Sequence, residues 1–284
     1  MAFPKTAILG VGLLGASFSL AAKKKGICNH VTGFGRSRDN LERAKSMGII
    51  DVVAPNPASA CSDADLVLLA APTGSFIELV KQAGHALKKG TIVTDVGSVK
   101  GDLVHELEKL MPPGVHFIGS HPIAGSDRSG IDSAHADLFR DALCIVTPTE
   151  QSDPSALKSV MALWSGLGAK VMSMGPSEHD RIYAAVSHLP HLIAYAMVNT
   201  VSDIDQSYLS YCGQGFKDMT RIAASSPDIW TDISLLNREN LIEMITLFRE
   251  NLDRMEAHLR TAAVDELRQE FIRASTLRKS IGQD

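Results

Sequence analysis

The chain reads as α/β, a mostly parallel sheet domain over residues 1–175 followed by an all-helical domain over 176–284. Three observations predict this. Short apolar runs alternate with helical-period segments up to about residue 175, the pattern of a parallel sheet with crossover helices. A glycine-rich turn, Gly10-Val11-Gly12-Leu13-Leu14-Gly15, falls between the first such run and the first helical segment. From Glu178 onward no strand pattern recurs.

The expected strands are TAILG (6–10), HVTGFG (30–35), DLVLLAA (65–71), TIVTDV (91–96), HFIGS (116–120), ALCIVTP (142–148) and AKVMSM (169–174). AILG and VLLAA are apolar without alternation, as strands covered on both faces are. Helices are expected over Leu13 to Lys25, Asn40 to Met47, Phe76 to Leu87, Leu103 to Met111 and Ser155 to Leu167. Past Gly175-Pro176 the helical period is expected to break at Pro190, Gly213-Gly215 and Pro227. The last piece, Leu235 to Ile281, repeats apolar residues at threes and fours (Leu241, Met244, Ile245, Phe248, Leu252, Met255, Leu259). So wide a stripe packs on something, either an intrachain core or, as we expect, a second copy of the chain.

With 284 residues the chain can bury a full core. A net charge of -4 and a pI near 6.2 supply no basic footprint, so nucleic acid is not an expected partner. Cys28, Cys61, Cys144 and Cys212 are far apart and form no CxxC pair, which suits a reducing compartment. The start, MAFPKTAILGVG, is too short an apolar run for a signal peptide. No stretch approaches the roughly 18 apolar residues of a membrane span. A cytoplasmic protein is expected.

In the glycine turn, Gly10 permits the tight bend, Gly12 lets backbone approach a pyrophosphate, and Gly15 allows close helix–strand packing. The helix N-terminus at Leu13 and Leu14 then offers N–H groups and a partial positive charge. NAD-binding sheets usually carry Asp or Glu at the end of the second strand. Here that strand ends at Gly35, followed by Arg36, Ser37 and Arg38. Arg36 and Ser37 suit a 2′-phosphate, so NADP is favoured, with NAD open and the solvated-loop reading of these arginines as the alternative.

Ligands of open parallel sheets bind beyond the carboxyl ends of the strands. Three polar clusters fall there: Pro72-Thr73, the run Asp95 to Lys100, and GSHPIAGSDRSG (Gly119 to Gly130). Pro72 shapes the loop beside a nicotinamide. Ser98 reads equally as an N-cap of the following helix and as a substrate contact. His121 stands after the fifth strand, biased toward an extended backbone by Pro122, and an imidazole suits taking a proton from a substrate hydroxyl.

GSHPIAGSDRSG, then SHLPH (Ser187 to His191), then GQGFKDMTRIAASSPDIW (Gly213 to Trp230), behind the glycine turn, resemble the prephenate/arogenate dehydrogenases of tyrosine biosynthesis. The resemblance runs over nearly the whole chain. It implies a Rossmann-like domain, a helical dimerisation domain making a homodimer, and a substrate site between them. It implies that His121 bonds the substrate's ring hydroxyl, with Ser98 beside it. It places Ser126 and Asp127 among the active-site groups, and makes His191 and Arg221 the groups that line the pocket and hold a substrate carboxylate. Asp218, one helical turn before Arg221, orients the guanidinium. His188 ranks below His191 as a packing residue, and Trp230 reads as pocket wall or core.

The reaction implied is oxidative decarboxylation of prephenate to 4-hydroxyphenylpyruvate with hydride transfer to NAD(P)+. Arogenate, or both substrates, is the alternative: Asp127 would tolerate arogenate's amine and Arg128 would disfavour it, and the resemblance of GSDRSG to the acid-then-base loop of prephenate-using members favours prephenate. Two rivals remain. A β-hydroxy-acid dehydrogenase would use a lysine in the helical domain, where only Lys217 lies between Glu178 and Asn237. An NADP-binding redox sensor would not need His121, His191 and Arg221 together.

Overall fold

The computed structural model describes residues 3–125 and 130–281. In chain order the first elements are β1 (Lys5–Leu9), α1 (Leu13–Lys24), β2 (His30–Phe34), α2 (Arg38–Ser46), β3 (Val52–Val53) and α3 (Pro57–Cys61). Then come β4 (Leu66–Leu69), α4 (Phe76–Ala83), β5 (Ile92–Asp95), α5 (Gly101–Lys109), β6 (His116–Pro122), β7 (Leu143–Thr147), α6 (Pro154–Gly166) and β8 (Lys170–Ser173). All seven expected strands form. The additional one, β3, is two residues long and lies at the sheet's edge beside β2, too short to leave a periodic signal.

The strands make one sheet in the order β3-β2-β1-β4-β5-β6-β7-β8. Every pairing is parallel except β6 with β7, which is antiparallel, with His121 opposite Ile145 and Pro122 opposite Cys144. Apolar side chains cover both faces. One core layer joins Phe18 and Ala22 of α1, Leu41 of α2 and Trp164 of α6; the other joins Phe76 and Val80 of α4 to Leu103 and Leu107 of α5. Phe18 and Phe139 both meet Trp164 edge-on, at 5.7 and 5.3 Å between ring centres. Two-sided burial is why β4, Leu66-Val67-Leu68-Leu69, contains no polar residue at all.

Beyond the sheet the chain is helical. α7 (Pro176–Tyr183) runs through a π turn (Ala184–His188) into α8 (Leu189–Asp205), and then come α9 (Gln214–Thr220) and α10 (Pro227–Leu236). The expected break at Pro190 does not occur. Proline cannot donate to the preceding turn, and the chain stays helical by widening to π geometry just before it, a device common at functional sites. By compactness the chain divides at Arg238, and the second unit starts at Glu239. That unit consists of α11 (Arg238–Arg260, from its second residue) and α12 (Val264–Ser280). The two helices turn at Ala262, whose φ of 49° lies in the left-handed region, and Arg254 of α11 pairs with Glu270 of α12 at 2.7 Å. Leu247, Leu252, Leu259, Phe271 and Leu277 of this unit are all exposed in the single chain.

Candidate active site

The glycine turn is built as its sequence suggests. Gly10 has φ 109°, and a Cβ there would collide with the backbone of Ala70 and Ala71. A Cβ on Gly15 would strike the Gly10 carbonyl. Gly12 differs, because nothing lies within 4 Å of where its Cβ would be. That open space fronts the start of α1, where Gly12 is the N-cap and no side chain caps the helix. The backbone N–H groups of Leu13, Leu14 and Gly15 are therefore first-turn donors with no helical acceptor, facing the place a pyrophosphate would take. What Leu13 and Leu14 offer there is their backbone N–H groups.

The turn opens on a cavity of about 740 Å³ lined by Gly10, Gly12, Arg36, Ser37, Pro72 and Gly74 among others. The sequence-selected residues Gly10, Gly12, Arg36, Ser37 and Pro72 thus meet in one place. Ser37 is also the N-cap of α2, its Oγ accepting from Asn40 N at 3.2 Å. Asn40, Asp228 and Asp232 are among the lining residues that the sequence did not single out. Asn40 donates from Nδ2 to the Val11 carbonyl (2.9 Å), and Asp232 of α10 accepts from the Gly74 N–H (3.2 Å), with Asp228 one turn before it. A Cβ on Gly74 would lie 2.6 Å from Asp232 Oδ2, so the glycine makes that approach possible.

His121 is not among the residues lining this cavity. Nor does it follow the strand, as expected; it lies inside β6, which continues four residues past Ile118, the last to pair with β5. The antiparallel partner β7 allows the overshoot, because it supplies bonds where the parallel neighbour has stopped. Side chains alternate along a strand, so Ser120 and His121 face opposite ways. Ser120 accepts from Trp164 Nε1 at 3.0 Å, while His121 faces α7.

Around His121 the polar groups are buried and bonded. His121 Nδ1 is 2.9 Å from His179 Nε2, and His179 Nδ1 is 2.8 Å from Asp180 Oδ1. Asp180 Oδ1 also accepts the Lys100 N–H at 2.7 Å. Lys100 Nζ in turn donates to Asp95 Oδ2 (2.5 Å) and to the Gly97 carbonyl (2.8 Å), and both members of the Lys100–Asp95 ion pair are 1% exposed. The carboxylate of Asp95 is completed by N–H groups of Gly97 (2.8 Å) and Ser120 (2.9 Å). This knot shapes the turn that carries Ser98. The N-cap alternative for Ser98 is overturned, since the N-cap of α5 is Lys100, two residues on.

Burial, reinforced by the neighbouring Lys100 ammonium and by mutual repulsion should His179 or His188 also be protonated, holds the His121 imidazole well below the usual histidine range. Burial also lowers His179, against the opposing bond to Asp180. His188 is pushed down to about 4, again chiefly by burial, and bonds Asn237 Nδ2 through Nδ1 (3.0 Å). His188 is the more buried of the two SHLPH histidines. His191 is half-buried, stacked on Trp230 with ring centres 3.4 Å apart, and its Nδ1 donates to the Ser187 carbonyl (3.0 Å). Trp230 is itself only partly buried. Arg221, an exposed residue, contributes to lowering the His191 pKa, after burial. Asp218 accepts from Gln214 Nε2 at 2.7 Å. Ser126 and Asp127 lie outside the described residues. For His179 and Asp180 the one local cue was the run Glu178-His179-Asp180 just after Gly175-Pro176, whereas Asp95 and Lys100 stood in sequence only as the ends of a polar turn.

A dinucleotide-binding turn on a doubly covered sheet, with a buried neutral imidazole at a strand end, defines a nicotinamide-dependent dehydrogenase. Residues 18–173 match the family model described as prephenate dehydrogenase, nucleotide-binding domain, and residues 175–273 the one described as prephenate dehydrogenase, dimerization domain. The chain belongs to the prephenate dehydrogenase family. It is 32% identical to the cyclohexadienyl dehydrogenase of Zymomonas mobilis (99% of this chain, 97% of the relative), and 30% identical to the prephenate dehydrogenase of Bacillus subtilis (96% and 75%). The solved structure of prephenate dehydrogenase from A. aeolicus, in complex with hydroxyphenyl propionate and NAD+, superposes with a TM-score of 0.94 at 34% identity, covering 99% of both chains. Among the described residues, no helix is long and apolar enough to cross a membrane.

Proposed function

We propose that this chain oxidises prephenate, with His121 as the base that takes the ring-hydroxyl proton and with NADP as the preferred acceptor. The observation that carries this reading is the buried imidazole of His121, neutral because its surroundings penalise charge. In prephenate the hydroxyl and a ring carboxylate stand on opposite carbons of a non-aromatic ring. Proton removal by His121 raises electron density on the carbon bearing the hydroxyl, and loss of carbon dioxide across the ring makes the product aromatic. When bound, the nicotinamide supplies the hydride acceptor. Ser98 stands beside the same hydroxyl. Arg221, planar and permanently charged, anchors a substrate carboxylate, with Asp218 orienting it and His191 and Trp230 forming the wall. Ser126 and Asp127 are assigned to the substrate by the resemblance alone.

The test is a set of initial rates with prephenate and arogenate, each with NAD+ and NADP+, followed at the reduced-cofactor absorbance. Prephenate with NADP+ gives the highest kcat/KM; no turnover of either substrate sinks the reading. Similarity to a cyclohexadienyl dehydrogenase supports a second reading, comparable use of both substrates, which the same rates decide.

Arg221→Ala raises the substrate KM by about 10- to 100-fold, the scale for losing hydrogen bonds to a charged group, with kcat changed less. A fall in kcat at constant KM would remove Arg221 from the anchor role. Gly35→Asp moves the cofactor ratio toward NAD. The new Cβ meets nothing closer than Leu41 Cδ2 at 3.7 Å, so the effect is electrostatic, the carboxylate repelling a 2′-phosphate. An unchanged ratio of kcat/KM values for the two cofactors refutes the role given to the strand end. The exposed apolar residues of α11 and α12 support a homodimer, measurable by sedimentation.

A further inference from the structure

We propose that His179 and Asp180 are positioning residues that fix His121 in the tautomer carrying its hydrogen on Nδ1, which leaves Nε2 as the nitrogen that accepts the substrate's proton. This rests on the reading of His121 as base, and it follows from counting hydrogens along three buried groups. An ionised carboxylate is an acceptor only. Asp180 Oδ1 already accepts the Lys100 N–H, so the hydrogen in its 2.8 Å contact with His179 sits on His179 Nδ1. A neutral imidazole has one N–H, and burial opposes a second. His179 Nε2 is therefore a lone pair, and the hydrogen in its 2.9 Å contact with His121 belongs to His121 Nδ1. The reverse arrangement would set a lone pair of His179 against the carboxylate.

The fold fixes each link. His179 is fully buried, stacked on Tyr183 at 4.5 Å, and Tyr183 also tilts over His121 at 4.9 Å. Asp180 is held from a third side by its own carbonyl, which accepts from Asn237 Nδ2 at 2.8 Å. Gly101 leaves the room for its carboxylate, because a Cβ there would lie 2.5 Å from Asp180 Oδ2. The remaining titratable groups facing the pair are Lys100, already paired with Asp95, His188, neutral at pH 7, and Cys144, whose thiol burial pushes up. When His121 takes the proton on Nε2, its Nδ1–H bond to His179 becomes charge-assisted and strengthens, so the relay favours the protonated state that the reaction creates without moving a second proton.

The experiment is long-range ¹H–¹⁵N correlation of the full-length protein labelled in histidine, with His121 assigned by the loss of its signals in His121→Asn. The expected spectrum at pH 7.5 has a protonated Nδ1 and an unprotonated Nε2 at His121; the opposite pattern overturns the proposal. In kinetics, His179→Leu lowers kcat on the order of 10- to 100-fold, as for a metal-bound histidine that loses the partner of its other nitrogen, with KM moved less than about threefold. His179→Gln, whose amide can accept from His121 and donate to Asp180, restores most of kcat. Unchanged turnover in His179→Leu, or a glutamine variant as slow as the leucine one, overturns the role. Should His179→Leu fail to fold, the wild-type spectrum alone decides. If the wild type turns over neither substrate, the reading of the reaction fails, while the spectrum still reports the tautomer.

Discussion

Substituting asparagine for His121 lowers kcat by about 10² to 10⁴, the range for losing a general base, and leaves the KM values for substrate and cofactor nearly unchanged. Asparagine is the informative replacement because its amide N–H can still donate toward His179, so β6, α7 and the hydrogen bond between them persist while the base is gone. In the wild type, kcat/KM falls on the acid side with a midpoint below 6.5, because burial depresses the imidazole pKa and the base is lost only as pH drops through that lowered value. The variant's residual rate has no such limb. A wild-type midpoint above 6.5, or a variant that keeps the limb, would remove His121 from the role of base.

Replacing Lys100 with methionine destabilises the protein by about 3–5 kcal/mol, the cost of breaking a buried ion pair from one side. Both partners are 1% exposed, so no solvent screens the carboxylate of Asp95 once the ammonium is gone. Two N–H donors, from Gly97 and Ser120, remain on that carboxylate and keep the loss from being larger. Urea unfolding monitored by tryptophan fluorescence measures it. The residual folded protein should also turn over slowly, because Lys100 Nζ bonds the Gly97 and Val99 carbonyls on either side of Ser98. A change below about 1 kcal/mol, the scale of an exposed pair, would mean that water reaches Asp95.

The two residues bear on how much of the site could be read from sequence. His121 was legible because its neighbours are local: a strand before it, a proline after it and a glycine-flanked polar loop beyond. Lys100 and Asp95 were visible only as a polar turn after an apolar strand. Their pairing depends on the turn folding back, and nothing in Asp95-Val96-Gly97-Ser98-Val99-Lys100 distinguishes a buried lysine from a solvated one. The N-cap alternative for Ser98 failed for a related reason. A serine ahead of a helix reads as a cap, but the chain goes on two further residues before α5 starts, and those two carry the lysine.

His179 and Asp180 mark where local reading stops. In sequence they follow Glu178 in a helix that looks charged and solvated. In the fold, β6 meets that helix from 58 residues away and buries both. Pro190 is the converse case, a strong local signal for a break that the chain absorbs in the π turn over Ala184–His188, leaving His188 buried and His191 against Trp230.

By itself the sequence determined seven of the sheet's eight strands, the glycine turn and the residue proposed as the base, because each depends on residues within one strand, one turn or one loop. Tertiary structure alone decided which group meets that imidazole. The partner of a buried ring nitrogen is whichever group the fold brings within reach, and here that group, His179 at 2.9 Å, comes from a helix that no local pattern ties to the strand.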